Sequence, residues 1–363
     1  MPFTATPIVG GDAFDQACRI GQEADRQLAL IDDPAARLAC LRRHWDTLAG
    51  LGWLAVAMPE EAGGAAGTLS DLAALAGGAG RGGLPLPIAA ACGVIPRLLA
   101  DQPALLPGLA EGQHRIAFIP AEAAVDDAAD MLILASDGSL TGAVVGIETP
   151  PDPTHLLLVL GGAEPALLLL PAGVRGIEAR HYLRIDGRPA ADWRFTGLAV
   201  EPAWVLGRGE SVARRAAEAR DLGALLTCVE AVSAAGALLE QTIDYLLNRV
   251  QFGVPLASHQ ALRHRVAEMY VEYENLRGVV LQALRMAAAD DVMPWRDIAF
   301  AKLRLGEAGR FIAQSAIQCH GGMGMTEALP AIRLARRIMM AEFEFGDRTF
   351  HAQRLLDAGR SAA

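Results

Sequence analysis

The chain lacks the cysteine spacing that marks a metal site or a disulfide framework. Its five cysteines, Cys18, Cys40, Cys92, Cys228 and Cys319, stand far apart, with no CxxC pair and no Cys/His cluster. A zinc site is therefore not expected, and an odd count with no pairing pattern suits a reducing, cytoplasmic compartment. Basic charge is also scarce. Lys and Arg number 32 against 42 Asp and Glu, for a net charge of -10 and a pI of about 5.3. Nucleic acid selects basic patches, so it is excluded as a partner. No basic flank followed by an apolar core opens the sequence, so no signal peptide is expected. No run of 18 apolar residues is free of charges or breakers, so neither a spanning helix nor a membrane partner is expected. What the chain does have is bulk: 363 residues, 52% of them hydrophobic, enough for two or three domains.

Periodicity divides the chain into three regions, 1–112, 113–212 and 213–363, of α+β class overall. In the first, Phe14, Ala17, Ala24, Leu28 and Ile31 share one apolar stripe, and Leu38, Leu41, Trp45 and Leu48 form another at helical spacing. Loops are expected at Pro59-Glu60-Glu61-Ala62-Gly63-Gly64 and at Gly82-Gly83-Leu84-Pro85-Leu86-Pro87. The second region holds short apolar runs at 116–119, 131–135, 142–147, 155–160, 166–170 and 193–195. Asp137-Gly138, Pro150-Pro151, Gly161-Gly162 and Asp186-Gly187 separate them. That even spacing predicts a small antiparallel barrel or sandwich. In the third region Leu225, Val229, Val232, Gly236, Leu239, Ile243, Leu246 and Val250 return to helical period. Leu262, Val266, Met269, Tyr273, Leu276 and Val280 follow, and then Ile298, Ala301, Leu305, Ala308 and Ile312. These narrow stripes predict three long helices of a near-antiparallel bundle, completed by a shorter helix around 331–343.

Two segments of the third region carry chemistry. Arg249-Val250-Gln251-Phe252-Gly253 closes the first long helix, with Pro255 and Gln260 beyond it. A guanidinium there can hold a phosphate through two parallel hydrogen bonds or simply offset the helix dipole. The aromatic Phe252 and the amide of Gln260 tilt the reading toward a nucleotide. The second segment is Gln318-Cys319-His320-Gly321-Gly322-Met323-Gly324. Three glycines in four residues allow positive φ and close approach of a ligand, more than the single glycine a helix cap needs. Gln318 offers one acceptor and two donors, and His320 reads as a packed histidine rather than a ligand or an acid.

In this order, these segments resemble the acyl-CoA dehydrogenase family. Leu51-Gly52-Trp53-Leu54 with Pro59-Glu60-Glu61-Ala62-Gly63-Gly64 is similar to the family's N-terminal "LGW…PEEYGG" stretch, and Leu84-Pro85-Leu86-Pro87 follows at a matching distance. Residues 249–267, RVQFGVPLASHQALRHRVA, are very close to its most specific helical segment, and 331–347 resembles its terminal region. The resemblance implies an N-terminal helical domain, a central β-barrel and a C-terminal four-helix bundle. It also implies FAD, an acyl-CoA thioester as substrate, oligomerisation, and electron-transferring flavoprotein as the default acceptor. The family removes a proton from Cα and a hydride from Cβ. Its FAD spans two subunits, with the flavin ring on one subunit's barrel loops and the pyrophosphate and adenosine on the neighbour's C-terminal domain. By resemblance, Arg249, Phe252, Gln260, Gln318, Gly321 and Gly322 belong to that second half-site.

The other half departs from the family. Where a "TEPGAGSD"-like loop is usual, the chain reads Ile119-Pro120-Ala121-Glu122-Ala123-Ala124-Val125-Asp126, without serine, threonine or glycine. Where a W-x-S/T-N flavin contact is usual, it reads Gly146-Ile147-Glu148-Thr149, and only Thr149 has a hydroxyl to donate. The catalytic base, a glutamate just before the glycine matching Gly346, is replaced by Phe345. The family's alternative base position is Gly223, beside Ala224. Glu344, Asp347 and Asp221 lie near these positions and read as solvated surface charges, with Glu344 and Asp347 as weak candidate bases. Some bacterial members, including those acting on sterol side-chain CoA esters, are α2β2 heterotetramers in which one subunit supplies only the complementary FAD half-site. The one-sided loss resembles such a partner subunit. The alternatives are a self-sufficient dehydrogenase, in a homo-oligomer, with Asp347 or Glu344 as an unconventional base, or an oxidase or hydroxylase on the same fold.

Overall fold

The computed structural model describes residues 3–123, 130–289 and 292–361. Helices α1 (Asp12–Leu28), α2 (Pro34–Gly50), α3 (Leu69–Gly82), α4 (Ile95–Leu98) and α5 (Leu106–Ala110) come first. Strands follow: β1 (Ile116–Ile119), β2 (Ile133–Leu134), β3 (Ser139–Glu148), β4 (His155–Leu160), β5 (Ala166–Pro171), β6 (Ile177–Leu183), β7 (Pro189–Ala199) and β8 (Val205–Arg208). The long α6 (Glu210–Asn248) leads through a hairpin, β9 (Val250–Gln251) and β10 (Val254–Pro255), into α7 (Gln260–Ala289). The chain ends with α8 (Trp295–Arg304), α9 (Arg310–His320), α10 (Pro330–Ala341) and α11 (Arg348–Ser361). Two compact units result. One joins the segments up to Ile31, Leu69–Leu84 and from Ala224 onward; the other joins Asp32–Thr68 and Pro85–Gly223.

The second of these units carries the sheets. Asp33 caps α2, accepting the Ala36 N–H at 2.8 Å, with Pro34 at the first helical position. Two four-stranded sheets, ordered β1-β4-β5-β8 and β2-β3-β7-β6, enclose one apolar core. Leu140, Val144, Trp193 and Phe195 from one sheet pack with Ile119, Leu156, Leu158 and Leu168 from the other. The expected pairing was wholly antiparallel, but β1 runs parallel to β4, with Ile116 opposite His155. A parallel pair needs a long crossover, and β2 and β3 intervene to supply it. The in-out alternation of β3 slips between Val144 and Ile147, where a register shift coincides with Gly146 at φ 70°. Strand β6 escaped the sequence reading because it is a mostly exposed edge strand without an apolar run.

In the other unit, α1 and α3 pack backbone to backbone. A Cβ on Gly78 would lie 2.3 Å from the Phe14 carbonyl oxygen, and one on Gly80 would lie 2.2 Å from that of Glu230 on α6. Helix α6 is buried on every side from Asp221 to Leu239 rather than along one stripe. Alanines and glycine fill the positions between its larger residues, so every face can be covered. The same helix is apolar and long enough to cross a bilayer by composition, yet that stretch lies wholly inside the protein. The stripe from Ile298 to Ile312 is buried as expected and runs through α8 and α9, joined by a π-helical turn at Leu305–Gly309. The shorter helix expected at 331–343 is α10, and α11 follows it.

Candidate functional site

Helix α6 ends at Asn248, so Arg249 stands at the start of the hairpin rather than in the helix. Phe252 and Gly253, at φ 56° and 81°, make its two-residue turn. Two left-handed residues match the twist of a tight hairpin, but an aromatic residue adopts that conformation at a cost. Phe252 is 91% exposed at the tip. Its ring meets that of His259 edge-on at 6.3 Å, beside Gln260, the first residue of α7. The Leu256 N–H closes the hairpin onto the Arg249 carbonyl at 2.9 Å. The side chains of Arg249, Gln260 and Gln318 are solvent-exposed.

Gln318 lies in the last turn of α9, and Gly321 follows at φ 59°, ψ -133°, a conformation open to glycine alone. Nothing lies within 4 Å of where a Cβ would stand on Gly321 or Gly322, so this backbone faces open space. His320 is packed, as expected. Its Nδ1 donates to the Ala316 carbonyl at 2.8 Å, its ring lies 4.5 Å from that of Tyr245, and burial holds its pKa below the ordinary value. Tyr245, His320 and Arg249 line one groove of about 450 Å³, together with Asp244, Asn248 and the Leu329-Pro330 loop. Arg249 is thereby brought beside the end of α9.

The turn after α10 is held from several sides. Lys302, fully buried on α8, donates to the carbonyls of Ala341, Glu342 and Glu344 at 2.8, 3.0 and 2.6 Å. It serves as the C-cap of α10, and burial holds its pKa below the usual lysine value. Glu344, expected to be solvated, instead accepts from Arg337 with both oxygens, at 2.6 and 2.7 Å. Arg337 also donates to Glu230 of α6 at 2.7 and 3.1 Å. Burial works against its charge, but the two carboxylates more than offset that and raise its pKa. Asp347 caps α11, accepting the Phe350 N–H at 2.8 Å. Phe345 sits between them at φ 54°, its carbonyl 3.1 Å from Nε2 of His351. Asp221, also expected to be solvated, is 3% exposed and lies 3.6 Å from Nε of Arg220. That cation compensates its burial.

Comparison with known proteins identifies the family. Residues 213–358 match the family described as acyl-CoA dehydrogenase, C-terminal domain. Over 327 residues the chain is 30% identical to acyl-CoA dehydrogenase IpdE2 of Mycobacterium tuberculosis, covering 89% of this chain and 85% of that protein. The chain belongs to the acyl-CoA dehydrogenase family. Among solved structures its fold is similar to the ChsE4-ChsE5 complex of Mycobacterium tuberculosis, at TM-score 0.81 and 22% identity over 98% of this chain and 99% of that one. It is also similar to PigA with FAD and proline, at TM-score 0.81 and 19% identity over 97% of each chain.

Members of the acyl-CoA dehydrogenase family are FAD-dependent oxidoreductases acting on CH–CH groups, and FAD is the cofactor. The C-terminal unit of this dehydrogenase fits such a group. It offers the exposed guanidinium of Arg249 in the groove at the end of α9, the exposed amides of Gln260 and Gln318 at the start of α7 and in the last turn of α9, and a glycine backbone with room for a ligand. The positions that the resemblance sets on the flavin-ring side are placed differently. Thr149 is buried, and the Glu148 carboxylate is bound by Arg188 at 2.7 Å. Of the loop after β1, residues 124–126 lie outside the described residues. Gly223 and Ala224 are buried in α6. The sequence reading passed over Tyr245, Asp244, Lys302, Arg337 and Glu230. Two of these left a signal: Glu230 is a lone carboxylate in a long apolar stretch, and Lys302 adjoins the buried stripe of α8.

Proposed function

We propose that this chain is one subunit of a heteromeric acyl-CoA dehydrogenase. It holds the phosphate and adenosine side of a shared FAD, while a paralogous chain supplies the flavin loop and the base. The observation that carries this reading is the turn after α10. Phe345 stands before Gly346, and the carboxylates on either side are already bound, Glu344 by Arg337 and Asp347 by the Phe350 N–H. A general base needs an oxygen within hydrogen-bond reach of its proton, so a self-sufficient enzyme would have to release one of these carboxylates first. The similarity in fold to a chain of the ChsE4-ChsE5 complex supports the heteromeric reading.

FAD, when bound, would supply the acceptor for the hydride that leaves Cβ of an acyl-CoA thioester. In this chain Arg249 binds phosphate oxygens, and the amides of Gln260 and Gln318 orient the nucleotide. Gly321 and Gly322 let it approach the backbone, and Phe252 covers an apolar face at the hairpin tip and excludes water. The Cα proton leaves to the partner's carboxylate, because Phe345 and Gly223 accept none. Electron-transferring flavoprotein is the proposed acceptor, and the cytoplasm the proposed compartment.

The test is the absorbance spectrum and FAD-to-chain ratio of the protein purified alone and after co-expression with an adjacent acyl-CoA dehydrogenase paralogue. A colourless lone chain that gains about one FAD per pair supports the proposal. A yellow lone chain that oxidises acyl-CoA at a rate matching the pair sinks it. In the pair, Arg249→Ala should weaken FAD binding by roughly 10- to 100-fold, the worth of one charge-assisted hydrogen bond.

A further inference from the structure

The loop between α9 and α10 carries Gly321 and Gly322, and two arginines of α10 tie down its far end. Nη1 of Arg333 donates to the Glu327 carbonyl at 2.6 Å, and Nη1 of Arg336 donates to the Glu327 carboxylate at 2.5 Å. The other edge of the Arg333 guanidinium faces α1. Its Nε and Nη2 donate to the two carboxylate oxygens of Asp25, the second at 2.6 Å. One planar fork thereby joins α1, α10 and the loop, and a planar fork fixes orientation as well as distance. The near end of the loop is held by its own backbone. A Cβ on Gly324 would stand 2.3 Å from the Ile317 carbonyl oxygen of α9, and the Thr326 hydroxyl donates to the Met323 carbonyl at 3.0 Å.

Helix dipoles do not account for these charges. Asp25 lies in the last turn of α1 and Arg333 near the start of α10, each at the end where its sign opposes the dipole. Their pairing offsets both, and both side chains are largely buried, so salt screens the pair little. We infer that Asp25 and Arg333 are positioning residues for the dinucleotide: they hold the loop so that the backbone at Gly321 and Gly322 keeps its ligand-binding conformation. The inference rests on the assignment of those glycines to FAD in the proposed function, and it adds a residue of the N-terminal helix that acts through the loop. Glycine loses more backbone freedom on ordering than any other residue, so a glycine-rich loop needs such a brace. A loop that keeps its binding conformation a tenth of the time binds about tenfold more weakly.

To test this, the co-expressed pair is stripped of flavin and titrated with FAD. Asp25→Asn keeps the shape of the side chain but removes the charge and one acceptor, and it should raise the Kd for FAD about tenfold. Asp25→Glu restores a carboxylate and should stay within about threefold of the natural chain. Glu240→Gln is the control, since Glu240 pairs with Arg81 at 2.6 Å elsewhere in the same unit. It should lower the unfolding temperature yet leave the Kd within about threefold. Amide hydrogen exchange of the chain alone gives a second readout: Asp25→Asn should speed exchange in 321–329 and leave the core of α6 unchanged. A Kd unchanged in Asp25→Asn overturns the inference, and so does an equal loss in Glu240→Gln or unchanged exchange in the loop. Each of these leaves the proposed function standing where the natural pair holds FAD. A natural pair that holds none overturns both.

Discussion

Replacing Arg337 with methionine asks whether charge holds the turn that displays Phe345. The Arg337 guanidinium is the common partner of two buried carboxylates, with four contacts between 2.6 and 3.1 Å. Glu230 is 1% exposed, and the side chain of Glu344 is 9% exposed, so solvent screens little of the interaction. Methionine keeps the apolar stem and most of the volume but leaves both carboxylates without their cation. Removing one partner of a buried pair costs about 3–5 kcal/mol, and with two carboxylates stranded the upper end applies. That is a large share of the ~5–15 kcal/mol typical of a folded protein. Urea unfolding at fixed protein concentration should show the midpoint falling by about 1 M or more. A loss below ~1 kcal/mol would refute the reasoning, since it would mean that water or protonation already compensates these carboxylates. Glu344→Gln in the same assay separates the two roles open to this residue. As part of a structural lock it should cost stability while turnover of the assembled enzyme changes less than about threefold. As a general base it should cost about 10²–10⁴-fold in rate.

Gly321→Ala should cost about 1–3 kcal/mol of stability and lower the FAD content of the complex, because alanine resists φ 59° with ψ -133°; thermal unfolding and absorbance measure both. His155 is held below the ordinary histidine value of 6.5 by burial and then by the neighbouring His114, and His320 is held down by burial. The unfolded chain therefore takes up protons first. This contribution is full above pH 6.5 and is lost as the pH falls below it, so unfolding midpoints from pH 8 to 5 should decline, less steeply in His155→Asn. Burial pushes the thiols of Cys92 and Cys228 up to about 12 and about 11. A thiol reagent at pH 8 should leave both unmodified in the native protein and reach them only after denaturation; rapid native labelling of either would contradict their burial.

What repeats locally was legible in the order of residues. Burial at intervals of three and four places Ile298, Ala301, Leu305, Ala308 and Ile312 on one covered face, and a short-range pattern suffices because a helix closes its hydrogen bonds within four residues. That Arg249, Phe252 and Gln260 stand close along the chain has the same local cause, since a hairpin between two helices keeps near neighbours together. The absence of a carboxylate at Phe345 could be read from that residue alone. What the adjacent carboxylates do depends on packing between distant segments. Glu344 reads as a surface charge until the fold buries it against Arg337, whose other partner, Glu230, lies 107 positions away. Lys302 reaches the end of α10 from about 40 positions earlier. A buried charge depends on which distant group the packing brings within 3 Å of it, and no local period encodes that distance. Strand β6 was missed for a related reason: an exposed edge strand has no buried face to leave a pattern, and its place was set by pairing with β7.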